Sequence, residues 1–147
     1  EVRLSEIKYT NEELNLMKLF STISGVDPID LIKDDKYNRI IIVVKKDDVG
    51  KAVGKEGSNV MYLKKTIKRD VVIVGYSEDL TEFVKGMIGN STNVTIKEIT
   101  SPNGLKTVII QAPPEQKGLI FGAKGQNIEK IKLLLKRYFD VSQVKVV

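Results

Sequence analysis

Residues 53–60 read Val-Gly-Lys-Glu-Gly-Ser-Asn-Val, and residues 121–128 repeat the pattern 68 positions later as Phe-Gly-Ala-Lys-Gly-Gln-Asn-Ile. Both glycines and the asparagine recur at this one offset. The similarity continues upstream, where the β-branched run 40–44 matches 108–112. It also continues downstream, where Lys64 matches Lys132, Lys68 matches Lys136 and Arg69 matches Arg137. The repeat indicates that one structural unit is used twice.

Hydrophobic periodicity predicts an α+β fold in which each copy has the order helix, strand, strand, short helix, longer helix, strand. The first helix is predicted to begin at a capping box of Thr10 and Glu13 and to stop at Gly25. Its apolar stripe is predicted to face the core and consists of Leu14, Met17, Phe20 and Ile23. In the second copy, Ser77 is predicted to cap the first helix.

The repeat predicts two domains, 1–75 and 76–147, with the boundary at Gly75-Tyr76-Ser77. Both copies place a Gly-x-x-Gly segment between their short and longer helices. The two domains should therefore present the same structural corner.

The composition excludes several classes of function. The chain contains neither Cys nor His, which rules out disulfides, zinc sites of the usual kind and nucleophile–histidine arrangements. Its carboxylates show no metal-ligand spacing. We therefore predict that the protein is not an enzyme, needs no cofactor or metal and has no small-molecule substrate. No apolar run is long enough to span a membrane and the first residues do not resemble a secretory signal, so no membrane partner and a cytoplasmic location are expected.

The positive charge is concentrated around the two glycine segments. Six cations and one carboxylate between positions 51 and 69 give +5, and the same count holds between 117 and 137. Because the whole chain carries +5, its remaining residues sum to −5. Lysine-rich helices are often no more than solvated faces. Here the clustering favours a polyanionic partner.

The Gly-x-x-Gly segments suggest a physical role as well as a position. Paired glycines let the backbone turn sharply and leave room for another backbone to approach. The amides of the loop and the free amides at the start of the next helix are expected to favour an anion. The alternative is a helical corner that needs glycine for geometry alone. A nucleotide-triphosphate loop is excluded, because neither copy has the spacing Gly-x-x-x-x-Gly-Lys-Ser/Thr.

The order of elements around each loop resembles the K-homology (KH) module, and the leading helix and two strands resemble its type II form. Two such modules in tandem, with Tyr76-Ser77 opening the second, resemble the archaeal NusA-like transcription factors. The resemblance implies a three-stranded mixed sheet with helices packed on one face of each module. It also implies that single-stranded RNA is the partner, held by loops that clamp about four nucleotides, in transcription termination or antitermination. Contact with RNA polymerase is left open.

Carried over to this chain, the resemblance predicts a set of RNA-binding residues. The loops contribute Gly54, Lys55, Glu56, Gly57, Gly122, Ala123, Lys124 and Gly125. The flanking positions contribute Asn59, Asn127, Lys51, Lys64, Lys117 and Lys132. The groove floor should come from Val53, Val60, Phe121 and Ile128, which are equally compatible with plain core.

Glu56 departs from the expected pattern. It puts a carboxylate where a small or basic residue would suit a phosphate. Either its side chain points away from the strand or the first loop binds more weakly than the second.

Two other functions are compatible with the same residues. A KH protein could bind ribosomal RNA during ribosome assembly. The repeat could also be a protein-interaction scaffold with vestigial loops, whose basic patches bind an acidic protein.

Overall fold

The structure, a computed structural model, describes residues 8–89 and 93–147 of the chain. These residues fall into two units, the first ending at Ser77 and the second beginning at Glu78. Each unit contains three helices and a three-stranded sheet. The predicted order of elements is found in both.

The bounds of the elements are as follows. The first unit contains α1 (Asn11–Ser24), β1 (Asp30–Asp34), β2 (Arg39–Lys45), α2 (Val49–Val53), α3 (Ser58–Ile67) and β3 (Asp70–Tyr76). The second unit contains α4 (Leu80–Ile88), β4 (Thr95–Thr100), β5 (Lys106–Gln111), α5 (Lys117–Phe121), α6 (Gln126–Phe139) and β6 (Gln143–Val146). A single 3-10 turn precedes each of α2, α3, α5 and α6.

Both sheets have the same mixed topology. In the first, β2 is central, antiparallel to β1 and parallel to β3. In the second, β5 is central, antiparallel to β4 and parallel to β6. Two parallel strands need a crossover connection, and here the two helices after the central strand provide it. The glycine corner of each unit therefore lies inside that crossover.

The core of the first unit is built on β2, which is buried from Arg39 to Val44. Phe20 of α1 and Leu63 of α3 are buried in the same cluster. The predicted stripe of α1 is wrong at Leu14, which is 49% exposed. Six residues at 3.6 per turn put Leu14 about 120° from Phe20 around the helix, so it lies at the edge of the buried face.

The core of the second unit lies between β5 and the helices α4 and α6. Val108 and Ile110 of β5 are fully buried, as is Leu134 of α6. The rings of Phe83 and Tyr138 pack edge to face with their centroids 5.9 Å apart. This contact packs the end of α6 against α4.

The start of α4 corrects the sequence prediction. Asp79, not Ser77, is the N-cap, and its carboxylate accepts a 3.0 Å hydrogen bond from the amide of Glu82. A carboxylate at this place also complements the positive end of the helix. Strand β3 continues through Tyr76, which pairs with Lys45 and lies within the predicted boundary segment Gly75-Tyr76-Ser77.

The two units also differ in the length of the longer helix, which has 10 residues in α3 and 14 in α6. Lys68 is the left-handed residue that ends α3, whereas Lys136 is still inside α6. The match between Lys68 and Lys136 in the sequence is therefore not a match in structure. The apolar stripe of α6 continues to Tyr138 and keeps the additional turn on the core.

The capping box at the start of α1 is present as predicted. The amide of Glu13 donates to Thr10 Oγ1 at 3.1 Å, and the amide of Thr10 donates to Glu13 Oε1 at 2.8 Å. We expect Thr10→Ala to lower the free energy of unfolding by about 1 kcal/mol. Urea unfolding followed by far-UV circular dichroism measures this loss.

Thr22→Ala is the control, because Thr22 is exposed inside the same helix and its hydroxyl only donates to the carbonyl of Lys18. Alanine is a better helix former than threonine, so this variant should be neutral or slightly more stable. Equal losses in the two variants would contradict the capping account.

Candidate nucleic-acid interface

Each corner begins where the short helix ends at the first glycine of the loop. Gly54 has φ 83° and ψ 168°, and Gly122 has φ 72° and ψ 172°. This region of backbone space is essentially open to glycine alone. The amide of each glycine still closes the short helix, donating at 3.0 Å to Gly50 O and at 2.9 Å to Gly118 O.

The first glycine also marks a close approach between the two helices. A Cβ on Gly54 would lie 2.8 Å from Asn59 Cγ and 2.9 Å from Asn59 N. A Cβ on Gly122 would lie 2.8 Å from Asn127 Cβ and 2.9 Å from Asn127 N. Glycine is required here for space as well as for conformation.

In each corner, an asparagine side chain links the start of the longer helix to the end of the short helix. Asn59 Nδ2 donates to Lys51 O at 3.1 Å, and Asn127 Nδ2 donates to Leu119 O and Ile120 O at 3.3 and 3.1 Å. These carbonyls belong to the end of the short helix and lack partners within it. Both asparagines were predicted to contact RNA, but the structure gives their amide groups partners within the protein.

The third loop position is left-handed in both units, with φ 54° at Glu56 and 56° at Lys124. Both residues are exposed. The two loops share one backbone geometry, and the charge at this position is reversed between them.

The prediction that the amides at the start of the following helix are free is partly wrong. The amide of Gly57 donates to Gly54 O at 3.1 Å, and that of Ser58 donates to Lys55 O. The second loop repeats this 3-10 turn, with Gly125 N bonded to Gly122 O at 3.1 Å. The turn uses these amides itself, so side-chain cations carry more of the attraction for an anion.

The predicted lysines take up different positions. Lys51 reaches the end of α1, where its Nζ lies 3.7 Å from the place of a Cβ on Gly25 and complements the negative end of the helix. Lys64 forms an ion pair with Asp70 at 3.5 Å. Lys55 and Lys132 are exposed, and Lys117 is half-buried.

The predicted groove floor divides into core and surface. Val60 packs against the first core, and Ile128 is only 5% exposed. Val53 is half-buried, whereas Phe121 is 42% exposed at the end of α5. Leu119 on the same short helix is 63% exposed, and sequence reasoning missed it because five residues show no clear periodicity.

A basic cleft lies beside the C-terminal part of the longer helix in each unit. The cleft of the second unit has a volume of about 380 Å³, and its lining consists of Lys132, Lys136, Val141, Ser142, Gln143, Val144 and Lys145. The cleft of the first unit has a volume of about 450 Å³, and its lining consists of Tyr37, Asn38, Lys64, Lys68, Arg69 and Asp70. Only Lys64 and Lys132 were predicted, because the other residues meet through the length of the helix and the register of the strand.

The described part of the chain, 8–89 and 93–147, has no group of three or more carboxylates placed to hold a metal ion. None of its helices is both long and apolar enough to span a membrane.

The corner geometry makes the two glycines of a loop unequal. Gly54→Ala must move Asn59 and adopt a backbone region that alanine avoids, so we expect a loss above about 3 kcal/mol. Gly57→Ala meets nothing within 4 Å and should cost only about 1–2 kcal/mol for its left-handed φ of 76°. Chemical unfolding of both variants measures the difference, and equal losses would contradict the close approach.

The chain is similar to several archaeal proteins named "Probable transcription termination protein NusA". The protein of Methanococcus vannielii is 32% identical over 143 residues, which cover 96% of this chain and 80% of the relative. The protein of Halobacterium salinarum is 31% identical over 142 residues, covering 95% of this chain and 98% of the relative. The protein of Methanocaldococcus jannaschii is 28% identical over 146 residues, which cover 98% of this chain and 77% of the relative.

A solved structure titled "Crystal structure of APE1850" matches with a TM-score of 0.84 and 28% identity, covering 95% of this chain and 100% of that one. No protein-family model matches the chain. The similarity to the named relatives extends over nearly the whole sequence. This chain therefore belongs to the archaeal NusA-like family.

Proposed function

We propose that the chain is a tandem pair of type II KH domains, 1–75 and 76–147, that binds single-stranded RNA in transcription termination or antitermination. Three observations support the proposal. Each unit has the element order and mixed sheet expected of that module. Each carries a Gly-x-x-Gly corner in its crossover. The relatives are named for transcription termination.

The observation that carries the proposal is that hydrogen bonds within the protein fix the backbone of each corner, while the middle residues of its loop are exposed to solvent. The asparagine side chain bonds the end of the short helix to the start of the longer one. On the outer side, a Cβ on Gly57 would meet nothing within 4 Å. The middle residues of both loops are exposed: Lys55, Glu56, Ala123 and Lys124. A sugar–phosphate backbone can approach such a surface without rearranging it.

Contacts with bases would come from the apolar residues beside the second loop. Phe121 and Leu119 are both exposed on α5. One aromatic ring can stack on one base, which contributes about 1–3 kcal/mol without strong sequence preference. Stacked bases must be unpaired, so the arrangement favours single strands over duplexes.

Binding to an unstructured RNA oligonucleotide should weaken with salt. If the chain neutralises about four to six phosphates at about 0.7 each, log K against log salt should have a slope of roughly −3 to −4. Fluorescence anisotropy between about 50 and 200 mM salt measures this slope. An affinity that is absent or independent of salt would reject the proposed function.

The double variant Ala123→Asp with Lys124→Asp should weaken RNA binding at least about tenfold, because a charge-assisted contact is replaced by repulsion. Aspartate tolerates the left-handed backbone at position 124, so the corner should keep its shape. The control Lys97→Glu with Asn103→Asp makes the same change in charge. It does so on β4 and in the exposed turn at the other end of β5.

The control should bind RNA nearly as tightly as the wild type. Circular dichroism would establish that both variants are folded. If the loop variant bound RNA like its control, the loop would not clamp the strand and the scaffold hypothesis would be favoured.

A further inference from the structure

The basic clefts of the two units differ in what their cations contact. In the second unit, the cleft between α6 and β6 presents Lys132, Lys136 and Lys145 beside the hydroxyl of Ser142 and the amide of Gln143. Within the described residues, none of these three lysines forms an ion pair. Two carboxylates lie close to these lysines along the chain: Glu129 precedes Lys132 on α6, and Asp140 borders a smaller adjoining cleft that shares Lys136 and Ser142.

In the first unit, carboxylates already contact two of the three cations that line the cleft, Lys64 and Arg69. Lys64 contacts Asp70 at 3.5 Å. Arg69 donates to Glu12 at 3.1 Å, and Lys33 approaches the same carboxylate at 3.4 Å. The hydrogen bond from Arg69, followed by that from Lys33, holds the pKa of Glu12 below its ordinary value of 4.5. This carboxylate is therefore ionised at neutral pH.

The difference comes from single positions on an otherwise shared frame. Counted from the helix caps, Glu12 is the second residue of α1, and Thr81 is the second residue of α4. Asp70 is the first residue of β3, and Gln143 is the first residue of β6. Both carboxylates of the first unit thus have neutral counterparts in the second. Each cleft is lined by three cations, which are Lys64, Lys68 and Arg69 in the first unit and Lys132, Lys136 and Lys145 in the second.

The loops differ in the same direction. Glu56 of the first loop has the position and the backbone conformation of Lys124 in the second. A nucleic-acid strand along the first unit would pass Glu56 at the loop and Asp70 at the cleft. A strand along the second would pass Lys124 at the loop and lysines at the cleft.

We propose that the cleft between α6 and β6 is the principal phosphate-binding site of this protein, and that the first unit closes its own cleft to phosphate with Glu12 and Asp70. The inference rests on the proposed RNA-binding function and assigns most of its electrostatic part to one unit. Lys132 and Lys136 lie seven and eleven residues beyond Gly125, which is about 10 and 16 Å along the helix axis. The bound strand follows α6 from the loop to Ser142.

Each unit then contributes differently to binding. The second unit binds phosphates through counterion release, so its affinity depends on salt. The first unit holds the strand at its corner with little net charge. Binding by the first unit is correspondingly less sensitive to salt.

Three double variants of the full chain test this assignment against the same unstructured RNA oligonucleotide. Lys136→Gln with Lys145→Gln removes two cations from the second cleft. The matched control, Lys64→Gln with Lys68→Gln, removes two from the first. Glu12→Gln with Asp70→Asn releases the cations of the first cleft while keeping side chains of similar shape.

The second-cleft variant should reduce the salt slope by about 1.4 and weaken binding on the order of tenfold near 0.1 M salt, since two phosphates contribute about 0.7 each. The first-cleft variant should weaken binding clearly less than the second-cleft variant, because Lys64 already contacts Asp70. The release variant should bind more tightly and with a steeper slope than the wild type.

Equal weakening in the two lysine variants, or a release variant that binds like the wild type, would overturn the assignment. A wild-type chain that did not bind the oligonucleotide at all would instead reject the proposed function. Circular dichroism of each variant separates a loss of contacts from a loss of fold.

Discussion

The close approach of two helices at the first glycine of each corner is the constraint on which both units depend. The space that a Cβ would need is taken by the following asparagine, in the first unit by Asn59 and in the second by Asn127. The same side chain bonds the carbonyls at the end of the short helix. The glycine and the asparagine depend on each other, because the asparagine occupies the space that a side chain at the glycine would need. The direction of the longer helix, and with it the crossover between the parallel strands, follows from this contact.

A corner fixed in this way keeps its middle residues exposed. The backbone is nearly identical in the two loops, down to the left-handed residue at Glu56 and Lys124. The chain can therefore change the charges around the corner without changing the corner itself. The ion pairs of Glu12 and Asp70 in the first unit, and their neutral counterparts in the second, show that it has done so. The two units share one arrangement of elements and loop backbone, and differences at single side chains make them electrostatically different.

Much of the fold was predictable because its determinants are local in the chain. The capping box of α1, the order of elements and the position of both corners were all confirmed. The predictions that were wrong concern the choice between two neighbouring residues as a helix cap, and the burial of a side chain that depends on residues distant in the chain. Asp79 caps α4 in place of Ser77 because its extended backbone and charge suit the cap position. Leu14 is exposed because the buried face of α1 is centred on Phe20.

The sequence by itself determined the repeat, the glycine corners and the accumulation of cations around them, since each is a pattern of residue types at fixed spacing. Only the tertiary structure decided which cations remain available. Arg69 donates to Glu12 across 57 positions of the chain, whereas Lys136 and Lys145 line one cleft because folding places the end of α6 beside β6. A net charge summed along the sequence does not show which charged side chains are paired in the folded protein. Their separation in space, which sets the interaction between charges, is fixed by folding.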